Sequence, residues 1–195
     1  MDAKEIEKAR VYYEKIGLAV VPLTGKAPKG AAVVGWQEWS RTETHQKTKG
    51  HTGNIGIRMD KLAVLDIDNP ARCQELFAGI EIPATAICYR GDRDQEKISH
   101  FQERGHLYFS RPAWLPEPVN YKEPGDGDKK KTVFEVRCGS GQQCVAPPSI
   151  HPDDKDQYRW HLPKMLGKLP EFPRQLWDRV QEIVAAGGIE EKMAE

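Results

Sequence analysis

The 195-residue chain lacks several features that would place it in other classes of protein. It has no apolar run near the roughly 18 residues that a membrane span needs, and no charged-then-apolar leader. It has no Gly-Lys-Thr or Gly-Lys-Ser phosphate loop, which excludes a helicase of that class from this chain. It also lacks net charge, with 29 Lys and Arg against 29 Asp and Glu. We therefore expect a cytoplasmic protein whose contacts with nucleic acid are local, weak and sensitive to salt.

Cysteine is scarce as well, with four in the chain and none in the two-residue spacing of a zinc ribbon. Cys138 and Cys144 flank two glycines, so a hairpin could bring them together, with His151 or His161 completing a zinc site. Buried free thiols are the ordinary alternative in a reducing compartment, and we favour that interpretation.

The sequence does contain enough apolar residues for a core, at 38% of the chain. This length suits one domain with a substantial core, and we predict a single catalytic domain over residues 1–186 with a flexible tail over 187–195.

Hydrophobic spacing and turn residues predict a mixed α/β chain with antiparallel hairpins. Hairpins are expected at residues 59–61 and around the glycines that follow residue 137, and residues 112–131 are expected to be a proline-rich connection and a charged turn. Helices are predicted over residues 4–16, 70–77 and 173–186, and strands over 19–22, 54–58, 62–68, 86–89, 106–109, 133–137, 143–146 and 158–160.

The most informative stretch is residues 64–68, where an apolar strand ends in Asp66 and Asp68. Residues two apart on a strand face the same side, so the two carboxylates are expected to lie together. Carboxylates held that close repel each other unless a cation lies between them, and a hard divalent metal is the natural partner.

Two further strand-like runs carry polar groups of the same kind. Glu135 lies between apolar neighbours, where a charged residue must meet solvent, a partner or a metal. His106 enters an apolar strand directly after Gly105, which would let a ligand approach the backbone. Three carboxylates on neighbouring strands are what a two-metal site needs to hold a nucleoside triphosphate.

Five blocks in this order resemble the primase-polymerase domain of bifunctional DNA primase/polymerase proteins, in the archaeo-eukaryotic primase superfamily. The resemblance spans roughly residues 9–160. The blocks are KAP with a later GW, LDIDNP, GHLYF, FEVR, and VAPPSIH with Tyr158 and Trp160 after it. It implies an α/β (α+β) fold in which an N-terminal α/β module packs against an RNA-recognition-like mixed or antiparallel sheet, with the active site in the cleft between.

The resemblance also implies roles for individual residues. The first acidic motif falls on Asp66 and Asp68, and the third falls on Glu135, where the family more often has aspartate. These acids would hold two Mg²⁺ or Mn²⁺ ions. The histidine motif falls on His106, which would contact the nucleotide phosphates, and Arg104 stands where the family has a serine and would supply a cationic phosphate contact instead.

Other candidate phosphate ligands come from the residues themselves. Ser149 and His151 follow paired prolines and could point at one place, although a plain structural turn is an equal alternative for His151. Arg137 could bind phosphate or simply pair with Glu135, and we favour phosphate. Lys26 could contact template, triphosphate or neither.

The resulting hypothesis is a template-directed nucleotidyltransferase, a DNA primase and polymerase domain that acts on dNTPs or NTPs with a single-stranded or primed DNA template. A helicase or helical priming domain, downstream or separate, is an expected partner. The alternatives are a metal-dependent nuclease or phosphotransferase that uses the same acids, and a catalytically silent domain that binds nucleotides in replication.

Overall fold

The computed structural model describes residues 2–95, 98–125, 129–186 and 189–191. These ranges contain four α-helices and eight strands, which confirms the α+β class. The elements are α1 (Ala3–Lys15), β1 (Val20–Leu23), α2 (Arg41–Thr48), β2 (Asn54–Ile67), α3 (Pro70–Leu76), β3 (Ala86–Arg90), β4 (Gly105–Ser110), β5 (Val119–Pro124), β6 (Lys130–Ala146), β7 (Tyr158–His161), α4 (Arg174–Ala185) and β8 (Ile189–Glu191), with short 3₁₀ helices at Ala31–Val33 and Pro163–Gly167.

All eight strands belong to one sheet, in the order β7-β3-β4-β2-β6-β5-β8, with β1 paired to the first half of β2. The ladders between these strands are antiparallel. β2 and β6 are the longest strands and pair with each other along most of their length. The N-terminal module and the RNA-recognition-like sheet expected from the sequence therefore share one continuous sheet.

The two predicted hairpins are wrong, because β2 and β6 each run on through the expected turns. Between Arg58 and Ala63 the pairing of β2 with β6 is irregular: β6 skips three residues before Met59 pairs with Gly139, and β2 then skips three before Ala63 pairs with Cys138. The two irregularities cancel, so the original register resumes at Ala63. The polar Asp60, which suggested a turn, is paired with Arg58 at 2.6 Å between Oδ2 and Nη2. A further correction concerns residues 119–124, expected in a connection, which form β5.

Local signals predicted three of the helices. At α3, for example, the Asn69 side chain accepts a hydrogen bond from the Arg72 N–H at 3.2 Å, and Pro70 occupies the first helical position. The sequence prediction missed α2, which has a capping box between Ser40 and Glu43 but no apolar stripe. Within the described ranges, no helix is long and apolar enough to cross a membrane.

Apolar side chains cover both faces of the sheet. On one face Leu65, Phe109 and their neighbours pack with side chains of α3 and α4. On the other face Val64 and Tyr108 pack with side chains of α1. Because side chains alternate along a strand, Asp66 continues the second face, just beyond the apolar cluster.

The expected tail and charged turn lie partly outside the described residues. Of residues 187–195, the structure describes Ile189–Glu191, which form β8 and pair with β5; the flexible tail stays a prediction. Of the predicted turn at 126–131, residues 126–128 are not described and Lys130 begins β6.

Candidate active site

A cavity of about 500 Å³ opens beside the apolar cluster that contains Val64 and Tyr108. Its walls are strongly charged. Acidic lining residues are Asp66, Asp68, Asp153 and Asp154, and basic ones are Lys26, Arg90, Arg104 and Arg137, with His106 and His151. Such a mixture suits a ligand that carries negative charge and is bound together with cations.

The sheet register brings the predicted acids and histidine into one row. Asp66 on β2 is the direct partner of His106 on β4 and of Glu135 on β6. Asp68 follows the end of β2, where its backbone N–H donates to the Val133 carbonyl at 3.0 Å. Asp66 and Asp68 both border the cavity.

Arg137 lies between the acids of β2 and β6. Its Nε is 3.1 Å from Asp66 Oδ2, and its Nη2 pairs with Glu135 Oε2. Although burial opposes the shift, Asp66 and Glu135 raise the pKa of Arg137 above its ordinary value. The structure thus shows Arg137 paired with both acids, and its binding of phosphate stays a prediction.

Burial governs the protonation of the other two acids. It raises the pKa of Asp68, and the neighbouring Asp66 raises it further. It also raises the pKa of Glu135 to about 7 against the opposing charge of Arg137, and Asp66 and Asp68 add to the rise. Negative charge is thus costly in this row unless a cation approaches it.

The carboxylates differ in how well they fit a divalent cation. Asp66 and Asp68 border the cavity and offer oxygen ligands, whereas Glu135 does not border it and is engaged by Arg137. Among the residues that the structure describes, no three His, Cys, Asp or Glu side chains converge closely enough to hold a metal ion. The zinc alternative has also lost its geometric basis, since Cys138 and Cys144 lie on one continuous strand.

His106 is positioned by a close approach between β3 and β4. Gly105 is required there because a Cβ would lie 2.9 Å from the Cys88 carbonyl oxygen. The Nε2 of His106 is 3.5 Å from Asp66 Oδ1, while its Nδ1 is buried and has no hydrogen-bond partner within the described ranges. Burial lowers the pKa of His106 although Asp66 opposes this, so the imidazole is neutral near pH 7.

The remaining predicted phosphate ligands separate into two groups. Lys26, Arg104 and His151 border the cavity, as phosphate ligands should. Ser149 does not, because its fully buried hydroxyl accepts from the Ile55 N–H at 2.9 Å and donates to the Ile55 carbonyl at 3.0 Å. Ser149 therefore ties the end of β6 to β2, and its predicted role as a phosphate ligand lacks support.

The structure also places Arg90 and Asp154 in the cavity, which sequence reasoning missed, together with Tyr158, which was part of the family resemblance but was given no role in the site. Arg90 ends β3 and Tyr158 begins β7, where the two are direct partners. The Tyr158 ring lies between the rings of His106 and His151, with centroids 6.2 Å from each. No local pattern marks Arg90 and Asp154, because their proximity depends on pairing between distant strands.

A family model described as bifunctional DNA primase/polymerase, N-terminal, matches residues 9–175. The chain belongs to the Prim-Pol family. The match includes every residue of the cavity lining, and membership implies primase or polymerase activity on DNA and nucleotide substrates in general terms. No curated protein and no solved structure matches the chain.

Proposed function

We propose that this Prim-Pol domain is a template-directed nucleotidyltransferase that extends, and in a suitable context initiates, chains on a DNA template. The observation that carries the proposal is the cavity in which Asp66 and Asp68 face basic side chains. In the reaction, a 3′-hydroxyl oxygen gives up its proton to water and bonds to the α-phosphorus of an incoming dNTP or NTP. The bond from that phosphorus to the bridging oxygen breaks, and pyrophosphate leaves with the electron pair.

Asp66 and Asp68, with Glu135 as the third acid, would hold two Mg²⁺ or Mn²⁺ ions. Such ions, when bound, activate the hydroxyl and neutralise the triphosphate. Glu135 can join this set only if Arg137 releases it, since the two side chains are paired. Released in that way, Arg137 keeps its charge and can turn to phosphate.

The basic side chains would then orient the triphosphate. His106 and Arg104 lie on either side of Gly105 at the cavity wall, and Lys26 and His151 border the same space. No protein nucleophile is needed, because positioning and charge stabilisation supply most of the catalytic effect in phosphoryl transfer.

Primer extension tests the proposal directly. A labelled primer on a DNA template is incubated with dNTPs or NTPs and Mg²⁺ or Mn²⁺, and wild type is compared with Asp66→Asn/Asp68→Asn. We expect template-dependent product in wild type and a loss of at least about 10³-fold in the variant, since an electrostatic contribution of this kind is worth several kcal/mol. Asp178→Asn is the control, because Asp178 is exposed on α4 and pairs with Arg174.

The failures of this experiment separate the alternatives. Degradation of the primer in a reaction that needs Asp66 and Asp68 would indicate a metal-dependent nuclease. Triphosphate binding without any product, even with Mn²⁺, would indicate a silent nucleotide-binding domain. Extension without initiation would indicate that priming needs a helicase or helical priming partner.

A cytoplasmic location belongs to the same proposal. Cys73, Cys88, Cys138 and Cys144 are all free and buried, as expected in a reducing compartment.

A further inference from the structure

One carboxylate, that of Asp154, contacts two basic side chains at the cavity. Its Oδ2 pairs with Nη1 of Arg90, and its Oδ1 lies 3.0 Å from Nδ1 of His151. Arg90 belongs to the end of β3, whereas His151 belongs to the turn that follows β6. Asp154 therefore joins two distant segments through their side chains.

The backbone of this turn is held by main-chain hydrogen bonds, and the Asp154 side chain adds one more, since its Oδ1 accepts from the Asp156 N–H at 3.1 Å. The His151 N–H donates to the Asp156 carbonyl at 2.8 Å, and the Tyr158 N–H donates to the Ser149 carbonyl at 2.8 Å. A third bond, from the Gly91 N–H to the Gln157 carbonyl at 3.1 Å, ties the turn to the end of β3. The contacts of Asp154 with Arg90 and His151 are additional to these three main-chain bonds and to its own bond with the Asp156 N–H.

Both partners of Asp154 are placed to meet an anion. The side chains of Arg90 and His151 are 23% and 9% exposed, and both border the cavity. Lys26 borders it as well. His106 lines the same cavity, so these basic groups face one space.

We infer that Asp154 is a positioning residue that holds Arg90 and His151 as a clamp for the polyphosphate of the incoming nucleotide. The inference rests on the proposed function, because it assigns a part of the same cavity. An arginine side chain has five N–H donors, and Arg90 uses only Nη1 in its contact with Asp154. Its other donors can therefore bind phosphate oxygens. His151 turns Nδ1 toward Asp154. In the protonated imidazole both ring nitrogens donate, Nδ1 to Asp154 and Nε2 to a phosphate oxygen, whose negative charge favours that proton.

Triphosphate binding is the measurement that tests the clamp. Dissociation constants for dATP and dAMP are determined by calorimetry, with Mg²⁺ and without template, for wild type, Asp154→Ala and Asp153→Ala. Asp153 is the charge-matched comparison: it is an acid of the same turn that also borders the cavity, but its carboxylate is 84% exposed and lies 4.0 Å from His151 Nδ1. Thermal unfolding of each variant verifies that it is folded.

The two possible roles of Asp154 predict effects of opposite sign. If it were only a negative charge near the ligand, both substitutions would tighten dATP binding. If it positions Arg90 and His151, Asp154→Ala weakens dATP binding by about tenfold and changes dAMP binding little, while Asp153→Ala leaves dATP binding equal or tighter. Unchanged or tighter dATP binding by Asp154→Ala, or equal weakening of dATP and dAMP, would overturn the inference.

A double-mutant cycle with Arg90→Met shows whether Asp154 acts through Arg90. In that background we expect Asp154→Ala to add less than about threefold, because the group it positions is gone. Full additivity would overturn the clamp. If wild type binds dATP but does not extend primers, only the proposed function is refuted. If wild type extends primers and Asp154→Ala binds dATP as tightly as wild type, only the clamp is refuted.

Discussion

At the scale of single residues, Arg137 is the group on which the chemistry of the acidic row depends. It contacts Asp66 and Glu135 at once, so the acidic row carries its own counter-charge. A buried ion pair of this kind adds little to stability, because desolvation offsets the attraction. Its consequence is instead a competition: a metal cation competes with Arg137 for the carboxylates, and a triphosphate competes with the carboxylates for Arg137.

The raised pKa of Glu135 makes the stability of the folded protein depend on pH. Its pKa is raised from 4.5 to about 7 in the folded protein, so the folded state binds more protons than the unfolded state across that interval. The free energy of unfolding should therefore fall as pH rises from 4.5 to 7, by up to about 3 kcal/mol from this group. Glu135→Gln should lack that fall.

Urea denaturation at pH 4.5 and pH 8 measures the difference. Wild type should lose more stability than Glu135→Gln between the two values, and at pH 8 the variant should be at least as stable as wild type. Parallel pH profiles for the two proteins would contradict the raised pKa. The comparison cancels other titrating groups, since both proteins share them.

Residue patterns in the sequence predicted part of this site for a clear reason. The alternation of side chains along a strand is local, and it was enough to place Asp66 and Asp68 on one side of the sheet at the cavity. Arg90 and Asp154 were missed because they are 64 positions apart and meet only through the pairing of β3 with β7. Ser149 was misassigned because the sequence around a serine near a histidine does not show whether its hydroxyl binds a ligand or, as here, the main chain of Ile55.

At the scale of elements, β4 depends on the glycine at its start. Gly105→Ala would place a Cβ 2.9 Å from a backbone oxygen of β3, which cannot move without disturbing the sheet. We expect a loss of about 1–3 kcal/mol in the free energy of unfolding, together with weaker nucleotide binding because His106 follows directly. Chemical denaturation and dATP calorimetry measure the two effects.

Gly141→Ala is the matched control for this substitution. Gly141 lies on β6, its φ is not positive, and a Cβ there meets no heavy atom within 4 Å. We expect it to change stability by less than about 0.5 kcal/mol. Equal effects of the two substitutions would show that the close approach of β3 and β4 does not constrain residue 105.

Sequence reasoning predicted correctly those elements whose ends are marked by residues within or next to the element. The caps of α3 are local, so its ends could be read from Asn69 and Pro70. The turns predicted within β2 and β6 failed for the opposite reason. Polar residues such as Asp60 look like a turn, but Arg58 two positions earlier on the same strand neutralises that charge, and β6 supports the strand on both sides of the irregularity.

At the scale of the whole molecule, one face of the sheet is covered by an apolar cluster, and the other face carries both an apolar cluster and the charged cavity. The cluster beneath α3 and α4 lies on one face, and the charged cavity continues the other face beyond its apolar cluster. β2 connects the two, since Leu65 and Asp66 are neighbours that point to opposite sides. The domain can therefore carry a costly set of buried charges because a full apolar face supports the same strand.

The neutral charge of the whole chain sets how it should hold DNA. With 29 basic and 29 acidic residues there is no excess to neutralise many phosphates, so binding depends on a few side chains near the cavity. We expect a dissociation constant weaker than about 1 μM for primed DNA near 0.15 M salt, with a slope of about −2 to −3 in log K against log salt. Fluorescence anisotropy over a salt series, with dNTP and Mg²⁺ absent and then present, measures the dissociation constant and the slope.

Submicromolar binding with a slope near −8 would contradict the expected weak, local binding of DNA. If dNTP and Mg²⁺ tighten the binding while the slope is unchanged, the nucleotide, rather than surface charge, holds the template in place.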